Sequence, residues 1–187
     1  MKIILASKSG VRKKILDEHK VASKVISSNL DEDEIKISLE AEGADPTVIS
    51  KNLAEIKSIK VSSRNPDQLV LGADSVVAFN NKVINKPKSR EKLNNAKHHL
   101  ISSVCISKNG AMIWNYTESS ELKMKNLSEK QILNYLDKIK TETLLAYGVY
   151  QIEAEGFELF EYVKGDRYSI MGLPIKEILN YINLYKK

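Results

Sequence analysis

Short apolar runs alternate with longer amphipathic stretches along the whole chain, and this alternation constrains the fold more than any other feature. Short apolar runs are typical of buried strands, whereas the longer stretches repeat their apolar residues at helical spacing. No internal repeat and no low-complexity linker interrupts the pattern. The sequence therefore predicts a single mixed α/β domain over residues 1–187, in which helices cover a sheet.

Composition narrows the class of protein. The chain has 187 residues, 42% of them hydrophobic and 28% charged, and a chain of this size buries roughly 70% of its unfolded surface in one core. Cys105 is the single cysteine, which excludes an internal disulfide and a paired-cysteine zinc site. The N-terminal apolar run ends at Lys8, too short for a signal sequence, and no window suits a membrane span. We expect a cytoplasmic protein.

Local signals predict the main elements. Apolar runs favour strands at residues 2–6, 21–28, 69–74, 99–107, 150–152 and 158–163, with a hairpin over residues 76–84. Capping residues and helical spacing favour helices that start at Ser9, at Asp45-Pro46, at the capping box of Ser128 and at Gly172-Leu173-Pro174, with a short helix over residues 89–97.

Several familiar kinds of site are absent from the sequence. It contains no P-loop, no G-x-G-x-x-G, no H-E-x-x-H and no G-x-S-x-G motif. If the adjacent His98 and His99 are both extended, they point to opposite faces of the strand, so one should be buried and the other solvated. The histidines therefore suggest neither a metal site nor a serine hydrolase.

The first predicted strand runs into a helix start that carries Ser7, Ser9 and Arg12. The free N–H groups and the positive dipole end of a helix favour phosphate, and an arginine can add a bidentate contact. The same residues also fit an ordinary capped helix with a solvated arginine.

Two acidic features stand near the ends of apolar runs. Asp74 follows a run that should be buried on both faces, with Gly72 leaving room beside it, so its charge needs a cation or a metal. The acidic run over residues 31–34 fits a solvated loop or the first turn of a helix.

Two lysines could serve as the cations. Lys57 lies about 40° round its helix from Leu53 and borders the apolar face, where lysines also often snorkel. Lys86 precedes Pro87, which stiffens the backbone that presents it. Two carboxylates, two lysines, an arginine and a helix start together would suit a polyphosphate substrate.

Seven short motifs in order make the chain similar to a known family. It resembles the Maf family of nucleoside triphosphate pyrophosphatases over nearly its whole length. The matching segments are Leu5-Ala6-Ser7-x-Ser9-x-x-Arg12, Asp31-Glu32, Leu53-Ala54-x-x-Lys57, Gly72-Ala73-Asp74-Ser75-Val76-Val77, Lys86-Pro87, Gly165-Asp166 and Gly172-Leu173-Pro174.

The resemblance implies a cytoplasmic enzyme that hydrolyses a nucleoside triphosphate to the monophosphate and pyrophosphate with Mg²⁺ or Mn²⁺. The implied fold has two lobes around an extended mixed sheet with a central cleft, often as a homodimer. Asp74 matches the catalytic proton acceptor, Glu32 matches a metal ligand or base, and the pair would hold the metal. The positions matching those that hold the phosphates are Ser7, Ser9, Arg12, Lys57 and Lys86.

The segment around Glu153 looks most like an α-proteobacterial branch of the family. The commoner branch has Gln at this position, so Glu153 would contact the substrate and affect metal binding or base selectivity. Val11 and Ala96 also depart from the usual Arg and Gly. Ser75 after Asp74 favours pyrimidine triphosphates over 7-methyl-GTP.

Two other functions compete with catalysis. Residues 51–100 hold ten basic against four acidic residues, which could form a nucleic-acid patch, although Phe79 is the one aromatic residue there. The family's name also suggests a regulator of septum formation that acts by protein contact. A catalytic role would be lost without Asp74, whereas a contact role would survive.

Overall fold

A computed structural model describes residues 2–84, 94–138, 152 and 155–185. Most of the predicted helix over residues 89–97 and of the predicted strand over residues 150–152 lies outside these ranges. Lys86 and Glu153 lie outside them as well. The extension of a single domain over the whole chain stays a prediction.

The described strands form one seven-stranded mixed sheet. They are β1 Ile3–Leu5, β2 Ser23–Val25, β3 Val70–Phe79, β4 Lys82–Val83, β5 Lys97–Lys108, β6 Ala111–Met124 and β7 Phe160–Lys164. Their order is β2-β1-β3-β5-β6-β7, with β4 paired to β3. Strands β1, β2 and β3 are parallel, and the other pairs are antiparallel. The predicted mixed α/β class is confirmed.

Six α-helices are described beside the sheet, together with a 3-10 helix at Glu155–Leu159 that occupies the first part of a predicted strand. Four of them begin at a capping side chain: Ser9, Asp31, Asp45 and Asp166 each accept a backbone N–H bond at a helix start. The α-helices are α1 Gly10–Glu18, α2 Glu32–Ala41, α3 Pro46–Ser62, α4 Glu129–Lys138, α5 Arg167–Ile170 and α6 Ile175–Tyr185.

Strand β3 differs from its prediction. The apolar run was expected to end at Asp74, but β3 continues to Phe79 and pairs with β5 from Val70 to Ala78. A carboxylate can stand within the strand because a lysine from α3 neutralises it, as described below. The hairpin that follows is confirmed, since Ala78 pairs with Val83.

The two neighbouring histidines also behave as predicted. On β5, His98 is buried and His99 is exposed. Burial lowers the pKa of His98 to about 4, so this imidazole is neutral at pH 7.

Two apolar clusters cover one face of the sheet. The first packs β3 and β5 against α1 and α6. The second packs the first part of β5 and the last part of β6 against α4 and the 3-10 helix. Between them, Ser75 pairs with Ser102, and their hydroxyl oxygens lie 2.9 Å apart. This polar pair lies between the two clusters, and Ser75 borders the cleft described below.

Helix α3 packs against the opposite face of β3. Ile49 and Leu53 are buried there against Val76 and Ala78. At Gly72 the helix approaches so closely that an added Cβ would collide with the Ala54 carbonyl oxygen and lie 2.8 Å from Ser58 N. The absence of a side chain at Gly72 therefore sets the distance between α3 and β3.

We predict that Gly72→Ala lowers the free energy of unfolding by on the order of 3 kcal/mol, because helix backbone must shift to admit the methyl group. Urea denaturation at pH 7 measures the change. Gly10→Ala is the matched control, since its added Cβ meets no atom within 4 Å among the described residues. Equal stability of the two variants would contradict this account of the packing.

Candidate active site

The cleft has a volume of about 550 Å³ and lies beyond the carboxyl ends of the parallel strands β1 and β2. Strand β1 pairs with β3 only as far as Leu71. The next part of β3 therefore lines the cleft with an edge that no described strand covers. Open sheets commonly bind ligands at such a position, where the strand order reverses.

Lys57 joins the two candidate carboxylates. Its Nζ lies 2.8 Å from Asp74 Oδ1 and 2.8 Å from Glu32 Oε2. Lys57 and Asp74 are each 4% exposed, so the lysine does not snorkel to solvent. Helix α3 supplies the cation, β3 supplies one carboxylate, and the first turn of α2 supplies the other.

The acidic run over residues 31–34 is thus the first turn of a helix, one of its two predicted alternatives. Asp31 Oδ1 accepts the N–H of Glu34 at 3.1 Å and caps α2. The cap leaves Glu32 at the helix start, from which its carboxylate reaches Lys57.

One carboxylate oxygen of Asp74 is available to a ligand. Its Oδ2 is buried and accepts no hydrogen bond from any residue that the structure describes. A buried carboxylate oxygen without a partner is costly unless a ligand or metal completes it. The atom therefore marks a point where a cation or a water could bind.

Glu32 is the more accessible carboxylate, with a side chain that is 41% exposed. Burial acts to raise the pKa of Glu32, but Lys57 and, to a lesser extent, Lys36 and Arg12 outweigh it and hold this pKa below its ordinary value. Glu32 is therefore ionised at neutral pH. Its attraction to Lys57 is lost only as the pH falls through that lowered pKa.

Arg12 makes four hydrogen bonds that tie separate parts of the chain together. Its Nε donates to Gly172 O at 2.9 Å, and its Nη1 donates to Ser7 Oγ at 3.0 Å and to Ala73 O at 2.9 Å. Its Nη2 donates to Ser75 Oγ at 3.1 Å. A guanidinium has five N–H groups, so one has no acceptor among the described residues and could contact a ligand. The four bonds rule out a solvated side chain, whereas the contact of Arg12 with phosphate stays a prediction.

Ser7 and Ser9 shape the start of α1. Ser9 Oγ caps the helix by accepting the N–H of Arg12 at 3.4 Å, and Ser7 Oγ accepts the N–H of Ser9 at 3.3 Å. Both serines line the cleft together with Lys8 and Gly10. The N-terminus of α1 therefore faces the space where an anion would bind.

Further lining residues were not singled out from the sequence. Lys36 lies one helical turn after Glu32 and borders the same cleft, and this four-residue spacing could have revealed it. Apolar residues also line the cleft: Val77, Leu100, Ile152 and Ile170, which belong to the second apolar cluster, and Met171, which packs with the first. No local pattern could have revealed that surface, because it joins distant parts of the chain.

We predict that Arg12→Met lowers the free energy of unfolding by on the order of 3 kcal/mol, because Ala73 O and Gly172 O lose a charged donor. Urea denaturation at pH 7 measures the loss. Lys14→Met, on the same helix with a side chain that is 77% exposed, should change stability by less than about 0.5 kcal/mol. Similar losses in both variants would show that Arg12 does not hold these segments together.

Comparison with known proteins identifies the family. A family model described as "Maf-like protein" matches residues 2–184. A protein of Pelagibacter ubique named nucleoside triphosphate pyrophosphatase is 52% identical, with 98% of each chain covered. A 7-methyl-GTP pyrophosphatase of Rhizobium etli is 32% identical, covering 95% of this chain and 93% of its own. A solved HAM1 protein from Coxiella burnetii is 13% identical with a TM-score of 0.43, covering 68% of this chain and 74% of that one. The chain belongs to the Maf family.

Proposed function

We propose that the protein hydrolyses a nucleoside triphosphate to the nucleoside monophosphate and pyrophosphate. The observation that carries this proposal is the contact of Lys57 with Glu32 and Asp74 at the cleft wall, beside the N-terminus of α1. The names of the family relatives support it, since they describe pyrophosphatases acting on nucleoside triphosphates.

The polar and the apolar lining of the cleft suit the two parts of such a substrate. The polar residues at the α1 N-terminus and around Lys57 suit the phosphates. The apolar residues, such as Val77 and Leu100, suit a base and sugar. The α-phosphorus would then lie near the carboxylates.

The residues fit a divalent cation, which we propose as Mg²⁺ or Mn²⁺. Asp74 Oδ2 has no partner among the described residues, and Glu32 is accessible to the cleft. No group of three metal-binding side chains occurs in the described part of the chain, and Mg²⁺ commonly binds through one or two carboxylates plus phosphates and waters. Such an ion would supply positive charge to the phosphate oxygens.

In the proposed reaction, a water attacks the α-phosphorus while the Asp74 carboxylate accepts its proton. The new bond joins the water oxygen to phosphorus, and the bond from the α-phosphorus to the bridging oxygen of pyrophosphate breaks. Lys57 fixes the orientation of Asp74 through its 2.8 Å contact with Oδ1. Arg12 acts chiefly by holding Ala73 and Ser75 on either side of this carboxylate.

Several finer points remain proposals. Lys86 is proposed to bind phosphate and Glu153 to contact the substrate, on the strength of the motif match alone. Ser75 after Asp74 supports a pyrimidine triphosphate as substrate, although one relative is named for 7-methyl-GTP.

We also propose a cytoplasmic location and a homodimer, as the family resemblance implies. None of the described helices is long and apolar enough to cross a membrane. Within the described residues, nothing favours nucleic-acid binding or a septum role over hydrolysis.

We predict that Asp74→Asn lowers kcat/KM by about a thousandfold, because the amide cannot accept the proton. Pyrophosphate release is measured with Mg²⁺ or Mn²⁺ on a panel of nucleoside triphosphates that includes 7-methyl-GTP. Asp67→Asn, at an exposed turn position, is the matched control and should keep wild-type activity. A folded Asp74→Asn variant with near-normal activity would contradict the role of Asp74, and an inactive wild type would contradict the function.

A further inference from the structure

The charged cluster at the cleft wall is electrically balanced. Arg12 and Lys57 carry two positive charges, and Glu32 and Asp74 carry two negative charges, so the four side chains sum to zero. Both cations are also engaged, Lys57 with two carboxylates and Arg12 with four acceptors. A polyphosphate would therefore need positive charge from other residues as well as from a bound cation.

Two further described lysines line the cleft, Lys8 and Lys36. Lys8 is exposed at the start of α1, whereas Lys36 is half-buried on α2. A partly buried charge is screened less by water and salt and so attracts an anion more strongly. Lys36 is thus the better placed of the two.

The ammonium group of Lys36 is also available to a ligand. Within the described part of the chain, no hydrogen bond or ion pair engages its ammonium group. It lies close enough to the carboxylate cluster for its charge to act on Glu32, and it follows Glu32 by one helical turn, so both side chains project from the same face of α2. An extended lysine at this place can reach a group bound beside Glu32.

We propose that Lys36 is a phosphate-binding residue of this site, whose ammonium group contacts non-bridging oxygens of the polyphosphate chain. The inference rests on the proposed function for the identity of the natural substrate. Helix α2 then presents both a carboxylate and a phosphate-binding cation, so the orientation of this one helix governs both.

The test uses inorganic tripolyphosphate with Mg²⁺ as the probe, because it has no base and is independent of base selectivity. Calorimetry should show roughly tenfold weaker binding for Lys36→Met than for the wild type, since a charge-assisted contact is lost. Lys36→Arg keeps the cation and should bind within about threefold of the wild type. Lys51→Met, which removes an exposed lysine of α3 outside the cleft, is the matched control and should bind normally.

Kinetics separate phosphate binding from an indirect structural role. With the best substrate of the nucleotide panel, Lys36→Met should raise KM about tenfold while kcat changes by less than about threefold. Unchanged tripolyphosphate affinity in Lys36→Met, failure of Lys36→Arg to restore affinity, or no binding by the wild type would overturn the inference. Wild-type protein that binds tripolyphosphate but hydrolyses no nucleotide would instead contradict the proposed function, and the binding comparison would still decide the role of Lys36.

Discussion

The contact of Lys57 with Asp74 and Glu32 is the interaction on which the rest of the site depends. Lys57 and Asp74 are buried, and each charge would be costly in the interior without the other. Burying an ion pair gives little net stability, whereas removing one partner strands a charge and costs several kcal/mol. These three side chains therefore fix the relative positions of α2, α3 and β3 more than they stabilise the fold. They lie at the wall of the cleft, where the proposed reaction needs carboxylates.

The surrounding packing serves this arrangement. Gly72 lets α3 lie close enough to β3 for Lys57 to reach Asp74. On the other side of the strand, Arg12 bonds to Ala73 and to Gly172 and so ties the α1 start to the loop before α6. Because β1 stops pairing with β3 at Leu71, the carboxylate stands beside open space. The cleft therefore lies along the part of β3 that no described strand covers, between the contact of Lys57 with Asp74 and the contact of Arg12 with Ala73.

Much of this could be predicted from local sequence. Asp45-Pro46 starts α3, and Ser128 opens α4 with a reciprocal bond to Gln131. Strand β6 and helix α2 beyond its first turn were not predicted, since β6 owes its form to pairing with β5 along its length. The continuation of β3 past Asp74 was not predicted, because the cation that neutralises Asp74 is Lys57, which comes from helix α3. The motif match placed Arg12 in the site, but its four bonds to distant backbone and hydroxyl groups depend on tertiary contacts that no spacing encodes.

A double-mutant cycle between Lys57 and Asp74 tests the central claim most directly. The free energy of unfolding is measured by urea denaturation at pH 7 for wild type, Lys57→Met, Asp74→Asn and the double variant. The account predicts strong non-additivity. Lys57→Met leaves the buried Asp74 carboxylate uncompensated, whereas Asp74→Asn leaves Lys57 with Glu32 as its carboxylate partner among the described residues. The double variant should recover about 2 kcal/mol relative to the sum of the two losses. Additive losses, within about 0.5 kcal/mol, would show that the two charges do not hold each other in place and would contradict the account.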